Sequence, residues 1–332
     1  MKTLIIANNN KLSSSSLFTF RPILQSPAKK ASILLATLSL CLCSAKGYSQ
    51  IIDDIGGIGL TSHTKVSFKD MPSSDTNPDT KFQLNTFDAW IPLPPVTIGK
   101  TTIFSNLNYR YMDFNYDNNQ VESPDQIQKI QEIKSVIIVR HPIAPKWSIL
   151  AIAMPTLASD TKRGISTEDL ILDGILGVSK RFGRNNNLEI GFGVHAMYSY
   201  GDLLITPGIS IDYHSNDNKW LAQFYWPRLN VLYSLTPKTQ VGIAGSIDWT
   251  RFNLKNYISK DKEVDYAQFS SIHAGLQVHQ QLFKNITLQV QAGMGLGNSY
   301  ELFDTNQKTV TKYSISTMPY AKISLSYRMG KR

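Results

Sequence analysis

His273 and His279 stand six residues apart in "SSIHAGLQVHQQ", residues 270–281. On a strand the even spacing puts both imidazoles on one face, an arrangement that would suit a metal site or a general base. Six residues of strand cover ~20 Å, however, too far for two ligands of one ion. The pair therefore reads as two polar positions in one interior. Carboxylates gather at Asp160, Glu168 and Asp169 and again at Asp261, Glu263 and Asp265. Neither group has EF-hand spacing, so solvated loop charge accounts for both. The glycines of "GIGL" (57–60) and "GMGLG" (293–297) fall on strand faces and not in a strand-turn-helix phosphate loop. No serine sits in a nucleophile-elbow context, and a Ser-His-acid set would have to be assembled in space. Nothing in the sequence calls for a cofactor.

What positions these residues is a repeated alternation of period two. In "NITLQVQAGMGLGNSY" (285–300), Ile286, Leu288, Val290, Ala292, Met294 and Leu296 share one face, and Thr287, Gln289, Gln291, Gly293, Gly295 and Gly297 the other. The same split separates Leu188, Ile190, Phe192, Val194, Ala196 and Tyr198 from Glu189, Gly191, Gly193, His195 and Met197. It also separates Val241, Ile243, Ile247 and Trp249 from Gly242, Ala244, Ser246, Asp248 and Thr250, and Ala321, Ile323, Leu325 and Tyr327 from Lys322, Ser324, Ser326 and Arg328. Alternation fails at "SVIIVR" (135–140) and is mixed over 170–182.

The pattern predicts fourteen strands, near 54–69, 79–92, 97–113, 130–141, 146–157, 170–182, 187–199, 202–213, 218–226, 229–235, 239–253, 263–280, 285–301 and 310–328. The best helical candidate is 123–135, read as a short loop helix. If the turns at Gly201 and Pro227 are not real, the count falls to twelve.

Residues 1–49 differ from the rest. Lys29 and Lys30 precede the uncharged apolar run "ASILLATLSLCLCSA" (31–45), the pattern of a cleaved export signal with cleavage near Ser49. Residues 50–332 then form one domain. The signal holds six of the 34 basic side chains and no acid, which leaves 28 against 25, or +3, and removes the electrostatic footprint of a nucleic-acid binder. Both cysteines, Cys41 and Cys43, leave with it, so the exported chain has no thiol chemistry.

Long connections follow odd-numbered strands ("KDMPSSDTNPD", 114–129, "SDTKRGISTED", "NLKNYISKDKE", "FDTNQKTV"). Short turns ("PLPPV", "HPIAPK", "FGRNNN", "LTPKT", "LFKN") follow even-numbered ones. In an up-and-down meander this puts every long loop at one end, the pattern of a barrel crossing the outer membrane with its short turns in the periplasm. Aromatics toward strand ends (Tyr109, Tyr111, Tyr198, Tyr200, Trp249, Tyr300, Tyr327) fit interfacial girdles. The alternative is a soluble, secreted sandwich or barrel whose apolar face points inward. The expected fold is therefore an all-β, transmembrane, up-and-down antiparallel β-barrel of about 12–14 strands. Its surroundings would be outer-membrane lipid, and outer-membrane assembly machinery would insert it.

The stretch "KWLAQFYWPRLNVLYSLTPKTQVGIAGSIDWTRFNL", with "GLGNSYEL" and the closing "MPYAKISLSYRM", resembles an uncharacterised family of Gram-negative outer-membrane β-barrels defined by a domain of unknown function. The resemblance implies fold and location and carries no site residues. Such barrels often end on an aromatic residue, whereas this chain ends "YRMGKR", which would place the assembly signal internally at Tyr327.

With the apolar faces toward lipid, the candidate lumen residues are Asn106, Asn108, Arg110, Glu189, His195, Asp212, Asp248, His273, Gln277, His279, Gln289, Gln291, Lys322 and Arg328. They carry both signs of charge and so no ion preference. Twelve to fourteen strands lie between filled eight-stranded barrels and open 16- to 18-stranded porins. The favoured function is a passive pore for small solutes. A closed-lumen barrel working through its outer loops is the alternative, and an outer-membrane hydrolase is a third.

Overall fold

The computed structural model describes residues 54–69, 81–117, 127–160, 164, 166–199, 202–259 and 262–328. The expected export signal lies outside them. Seventeen strand segments follow in order: β1 (Asp54–His63), β2 (Val66–Ser67), β3 (Lys81–Ile98), β4 (Thr101–Tyr116), β5 (Lys129–Ala144), β6 (Trp147–Ala153), β7 (Thr156–Ser159), β8 (Leu170–Phe182), β9 (Leu188–Ser199), β10 (Asp202–His214), β11 (Trp220–Tyr225), β12 (Arg228–Ser234), β13 (Thr239–Ser259), β14 (Lys262–Phe283), β15 (Ile286–Phe303), β16 (Thr309–Ser314) and β17 (Met318–Arg328). They make fourteen barrel strands, because β1 with β2, β6 with β7, and β16 with β17 are each one interrupted strand sharing a partner. Each barrel strand pairs antiparallel with its neighbours, and β1 closes on β17 from Asp54 opposite Arg328 to His63 opposite Tyr320. Closure leaves no sheet edge around most of the circumference.

Both short gaps are genuine reversals: β9 pairs with β10 from Asp202 opposite Ser199, and β11 with β12 across Trp226–Pro227. The helical reading of 123–135 fails from Lys129 onward, where the chain is strand β5; residues 123–126 lie outside those described. Ile127 and Ile130 are buried inside the barrel and Ile133 faces out, so their three-residue spacing mimics a helix face by coincidence.

Apolar side chains cover the outside, among them Leu60, Leu176, Phe192, Ile205 and Leu276, the last 71% exposed. An apolar belt of this size needs lipid over it and rules out the inward-facing sandwich. The interior differs along its length. Toward the long loops, Phe82, Leu84, Phe114, Ile130, Phe252, Phe269 and Leu302 pack into one core, each at most 5% exposed. Below it, toward the short turns, inward side chains such as Asn106, Val136, Leu150, Asn230 and Gln289 are only partly buried, whereas Leu232, Gln277 and His279 are buried; Arg228, beside the Trp226–Pro227 reversal, is exposed.

A bulge sets that boundary on β15. Gly297 has φ +58°, and the register against β14 jumps between Ser270 and Ile272. The extra residue exchanges faces, so Tyr300, expected at the membrane interface, points inward and is buried against Tyr313. The hairpin β11–β12 is also short, which leaves the long-loop half of β10 and β13 without partners on one edge. Pro207, which has no N–H to donate, lies on that stretch of β10. On the β13 edge, Ser159 pairs with Asn253 and the Asp160 N–H donates to the Asn253 carbonyl at 3.3 Å.

Candidate functional site: the barrel lumen

Residues on non-neighbouring strands meet only across the interior, and such contacts identify the lumen. His63 of β1 reaches His273 of β14, with the two Nε2 atoms 3.1 Å apart. The His63 Nδ1 donates to the Leu84 carbonyl at 3.2 Å, and the His273 Nδ1 donates to Asp248 at 2.9 Å. Tyr320 stands edge-on to His273, its hydroxyl accepting from Gln291 at 2.6 Å. Glycine makes this approach possible: a Cβ on Gly275 would come within 2.8 Å of the Tyr320 hydroxyl.

Beside this group Asp88 binds the Arg110 Nε at 2.8 Å and lies 4.0 Å from the Lys322 Nζ, while Lys134 pairs with Glu132 at 3.1 Å. Arg110, Glu132, Asp248, Lys322 and Arg228 interact electrostatically across the same level. Mixed charge in a low-dielectric wall is stabilised by such mutual pairing.

The other expected lumen residues take separate places. His195 pairs with Asp173 and accepts from Thr206 at 3.3 Å. Asn108 donates to Asn106 at 2.8 Å, and Gln289 to Ser326 at 3.1 Å. His279 and Gln277 bond to each other at 3.0 Å, Gln277 reaching on to Asn230. Asp212 takes Gln223, Tyr225 and His214. Arg328 pairs with Asp54 in register; its side chain lies outside the described part. At the short-turn rim Glu189 accepts two bonds from the Arg140 Nη2, both at 3.0 Å, and one from the Arg181 Nε at 2.9 Å.

His63, Asp88, Glu132 and Arg140 were missed by sequence reasoning. Asp88 lies in "FDAWIPLPP", and Glu132 and Arg140 lie in β5, where both faces are apolar and period two is masked. His63 ends β1 in phase with Gly57 and Gly59, a signal that was available.

Two chemical readings can be weighed against this geometry. Ser271, His273 and Asp248 have triad connectivity, with the Ser271 Oγ 3.4 Å from the His273 Nε2. The Ser271 hydroxyl, however, donates to Asn298 at 2.6 Å and is 1% exposed, so its hydrogen points away from the base and no substrate reaches it. The loop carboxylates also depart from expectation. Asp160 and Asp169 are buried, not solvated: Asp169 accepts from Ser166 N–H and Asn253, tying the loop to β13. Asp265 bonds Thr305, Glu263 is exposed, and Asp261 is outside the described residues. Among the described residues, no group of three His, Cys, Asp or Glu could hold a metal ion.

The six short turns each carry a base: Lys100, Lys146, Arg184, Lys219, Lys238 and Lys284. Their one acid, Asp217, is held below the usual carboxylate range by the Ser215 hydroxyl and the Lys219 N–H. That rim is therefore a ring of positive charge.

A closed fourteen-strand antiparallel barrel with an apolar belt and a polar lumen defines an outer-membrane-type β-barrel protein. The chain belongs to the family defined by a domain of unknown function, DUF6268, whose model matches residues 46–328. No curated protein matches it. Solved structures similar to it include the NanC porin (7% identity, TM-score 0.33, covering 82% of this chain and 100% of that one). The translocator domain of the autotransporter NalP from Neisseria meningitidis is another (11%, 0.35, 91% and 97%). A third is the Pseudomonas putida toluene transporter TodX (9%, 0.37, 83% and 90%). Similarity at this level carries no argument about solute or activity.

Proposed function

We propose that the protein is a passive channel for small solutes in the outer membrane, exported by residues 1–49 and shut at its outer mouth in the conformation described. The long loops then lie outside and the basic turns in the periplasm. The observation that carries this reading is the two-part lumen: an apolar core fills the portion toward the long loops, while in the remainder the arc of β4, β5, β6 and β8 keeps partly exposed side chains even though Leu232, Gln277 and His279 opposite it are buried. A barrel filled for strength alone would pack its side chains along the whole length.

The core itself favours a second reading, a closed barrel that works through its outer loops. We read the protein as non-enzymatic under either, since the Ser271 hydroxyl is buried and committed to Asn298.

Single-channel conductance of residues 50–332 in a planar bilayer, after a heat-modifiable gel shift has verified folding, separates the two. Brief openings from the wild type and steady current from Phe269→Ala are expected of the channel. Silence from both folded proteins would transfer the function to the loops.

A further inference from the structure

We propose that the inner wall formed by β4, β5, β6 and β8, between the packed core and the short-turn rim, binds a small amphiphile with an apolar tail and an anionic head, a carboxylate or a phosphate monoester. The proposal rests on the channel reading only for the ligand's passage; binding is read independently of it.

Six apolar side chains face inward on four neighbouring strands: Phe104, Val136, Ile138, Leu150, Ile152 and Ile175. Register places Phe104, Ile138, Ile152 and Ile175 in one cross-strand row, with Val136 and Leu150 on either side of it along the strands. None belongs to the packed outer core, and all remain partly exposed. This is why alternation fails at "SVIIVR": Ile137 and Val139 face lipid while Val136 and Ile138 face the lumen. Among the described residues below the core, these six form the longest run of partly exposed inward apolar side chains; Leu221 and Leu232 on β11 and β12 also face inward but are buried. Across the lumen from the six lie Gln277, Gln289, Gln291 and Asn230.

Toward the short turns the apolar patch borders cations. Arg140 follows Ile138 by two residues on the same face, and with Arg181, Lys100 and Lys146 it lines a pocket of about 260 Å³ that also presents Thr102 and Ser148. Glu189 is the one acid bonded into the group. Lys146 donates to the Gly183 carbonyl, and Lys100 has no ion-pair partner among the described residues. Arg140, 11% exposed at its side chain, has one guanidinium nitrogen, Nη1, without an acceptor. Four cations against one carboxylate attract an anion, and the forked guanidinium suits carboxylate or phosphate. From Arg140 to Val136 the strand runs about 13 Å, the reach of a medium-length alkyl chain. Beyond Val136 the charges are mutually neutralised, Lys134 by Glu132 and His195 by Asp173, so the excess cation lies at the rim alone and the apolar stretch above it commits the site to an amphiphile and not to a free ion.

The test uses residues 50–332 in lipid nanodiscs with Ile δ1-methyl labels, titrated with octanoate and with octyl phosphate, and separately with acetate, inorganic phosphate and octanol. Saturable shifts at Ile138, Ile152 and Ile175, at least tenfold tighter than for acetate, phosphate or octanol, are expected; whichever head binds tighter identifies the source. Lipid-facing Ile137 and Ile149 should not move. Arg140→Gln should weaken binding about tenfold, and Lys100→Gln, which leaves the Arg140–Glu189 pair intact, about threefold. Shifts equal at Ile137 and Ile149, affinity no better than for acetate, or affinity untouched in a folded Lys100→Gln would overturn the proposal. Saturable binding by a barrel that passes no current would sink the channel reading and leave the site standing.

Discussion

His63 and His273 touch through their Nε2 atoms at 3.1 Å, although β15 and β17 separate their strands. The partners at the two ends, the Leu84 carbonyl and the Asp248 carboxylate, only accept, so each ring carries a hydrogen on Nδ1. The two rings and the Asp248 carboxylate form a chain linking β1, β13 and β14 beneath the outer core. His63→Leu would leave the His273 Nε2 and the Leu84 carbonyl without this partner and should cost about 1–3 kcal/mol. His63→Gln, whose side-chain amide can donate to or accept from the His273 Nε2, should recover part of it. Urea unfolding in liposomes checks both; a neutral His63→Leu would show that the contact is not made.

Val290 faces lipid at 43% exposure, and its neighbour Gln291 donates to Tyr320 in the lumen. Arginine at position 290 should cost ~2–4 kcal/mol near the bilayer midplane and hinder insertion. Arginine at 291 loses one hydrogen bond and adds a charge opposite Lys322, so a loss of about 1 kcal/mol is expected with folding retained. Equal folding yields in liposomes would refute the assignment of faces.

Phe269 is 3% exposed in the outer core, packed edge-on against Phe114 at 6.0 Å. Phe269→Ala removes a large buried ring and should destabilise by about 3–5 kcal/mol. If the core is the closed gate of a channel, the same variant should leak small ions, and a shift in urea midpoint with no new current would mean that neighbouring side chains collapse into the space.

The barrel was legible because membrane-facing strands obey one rule: every second side chain meets lipid. Hence Val290 and Gln291 could be assigned to opposite faces, and loop parity gave the closure. The outer core was not legible, since it depends on the inward positions, polar along most of the strand, turning apolar near the loops, as Phe252 and Leu254 do on β13 beyond Asp248 and Thr250. Nor was the His63–His273 contact, which joins residues 210 apart in sequence. Tyr300 was misassigned because a single bulge exchanges faces beyond it.

That bulge yields a further prediction. Gly297 sits at φ +58°, in left-handed space where a side chain costs roughly 1–2 kcal/mol. Gly297→Val should lose at least that much and, by favouring unbroken pairing of β14 with β15, should disorder Tyr300 and its stack with Tyr313. Near-ultraviolet circular dichroism reports the tyrosines; an unchanged spectrum with unchanged stability would show that the bulge is not set by this glycine.

Glu189 separates stability from binding. Its carboxylate holds Arg140 and Arg181 together at the short-turn rim, with side chains 18%, 11% and 29% exposed. Glu189→Gln leaves two guanidinium groups facing each other, and because the rim is partly wetted the loss should fall below the figure for a fully buried pair, at about 2 kcal/mol. The same change removes the one anion competing for those cations. An octanoate head should then bind more tightly, by roughly threefold or about 0.6 kcal/mol, while the protein unfolds at lower urea. Opposite signs from one substitution are what a site poised for an anion predicts; if affinity fell together with stability, Glu189 would be part of the binding surface and the head would sit elsewhere.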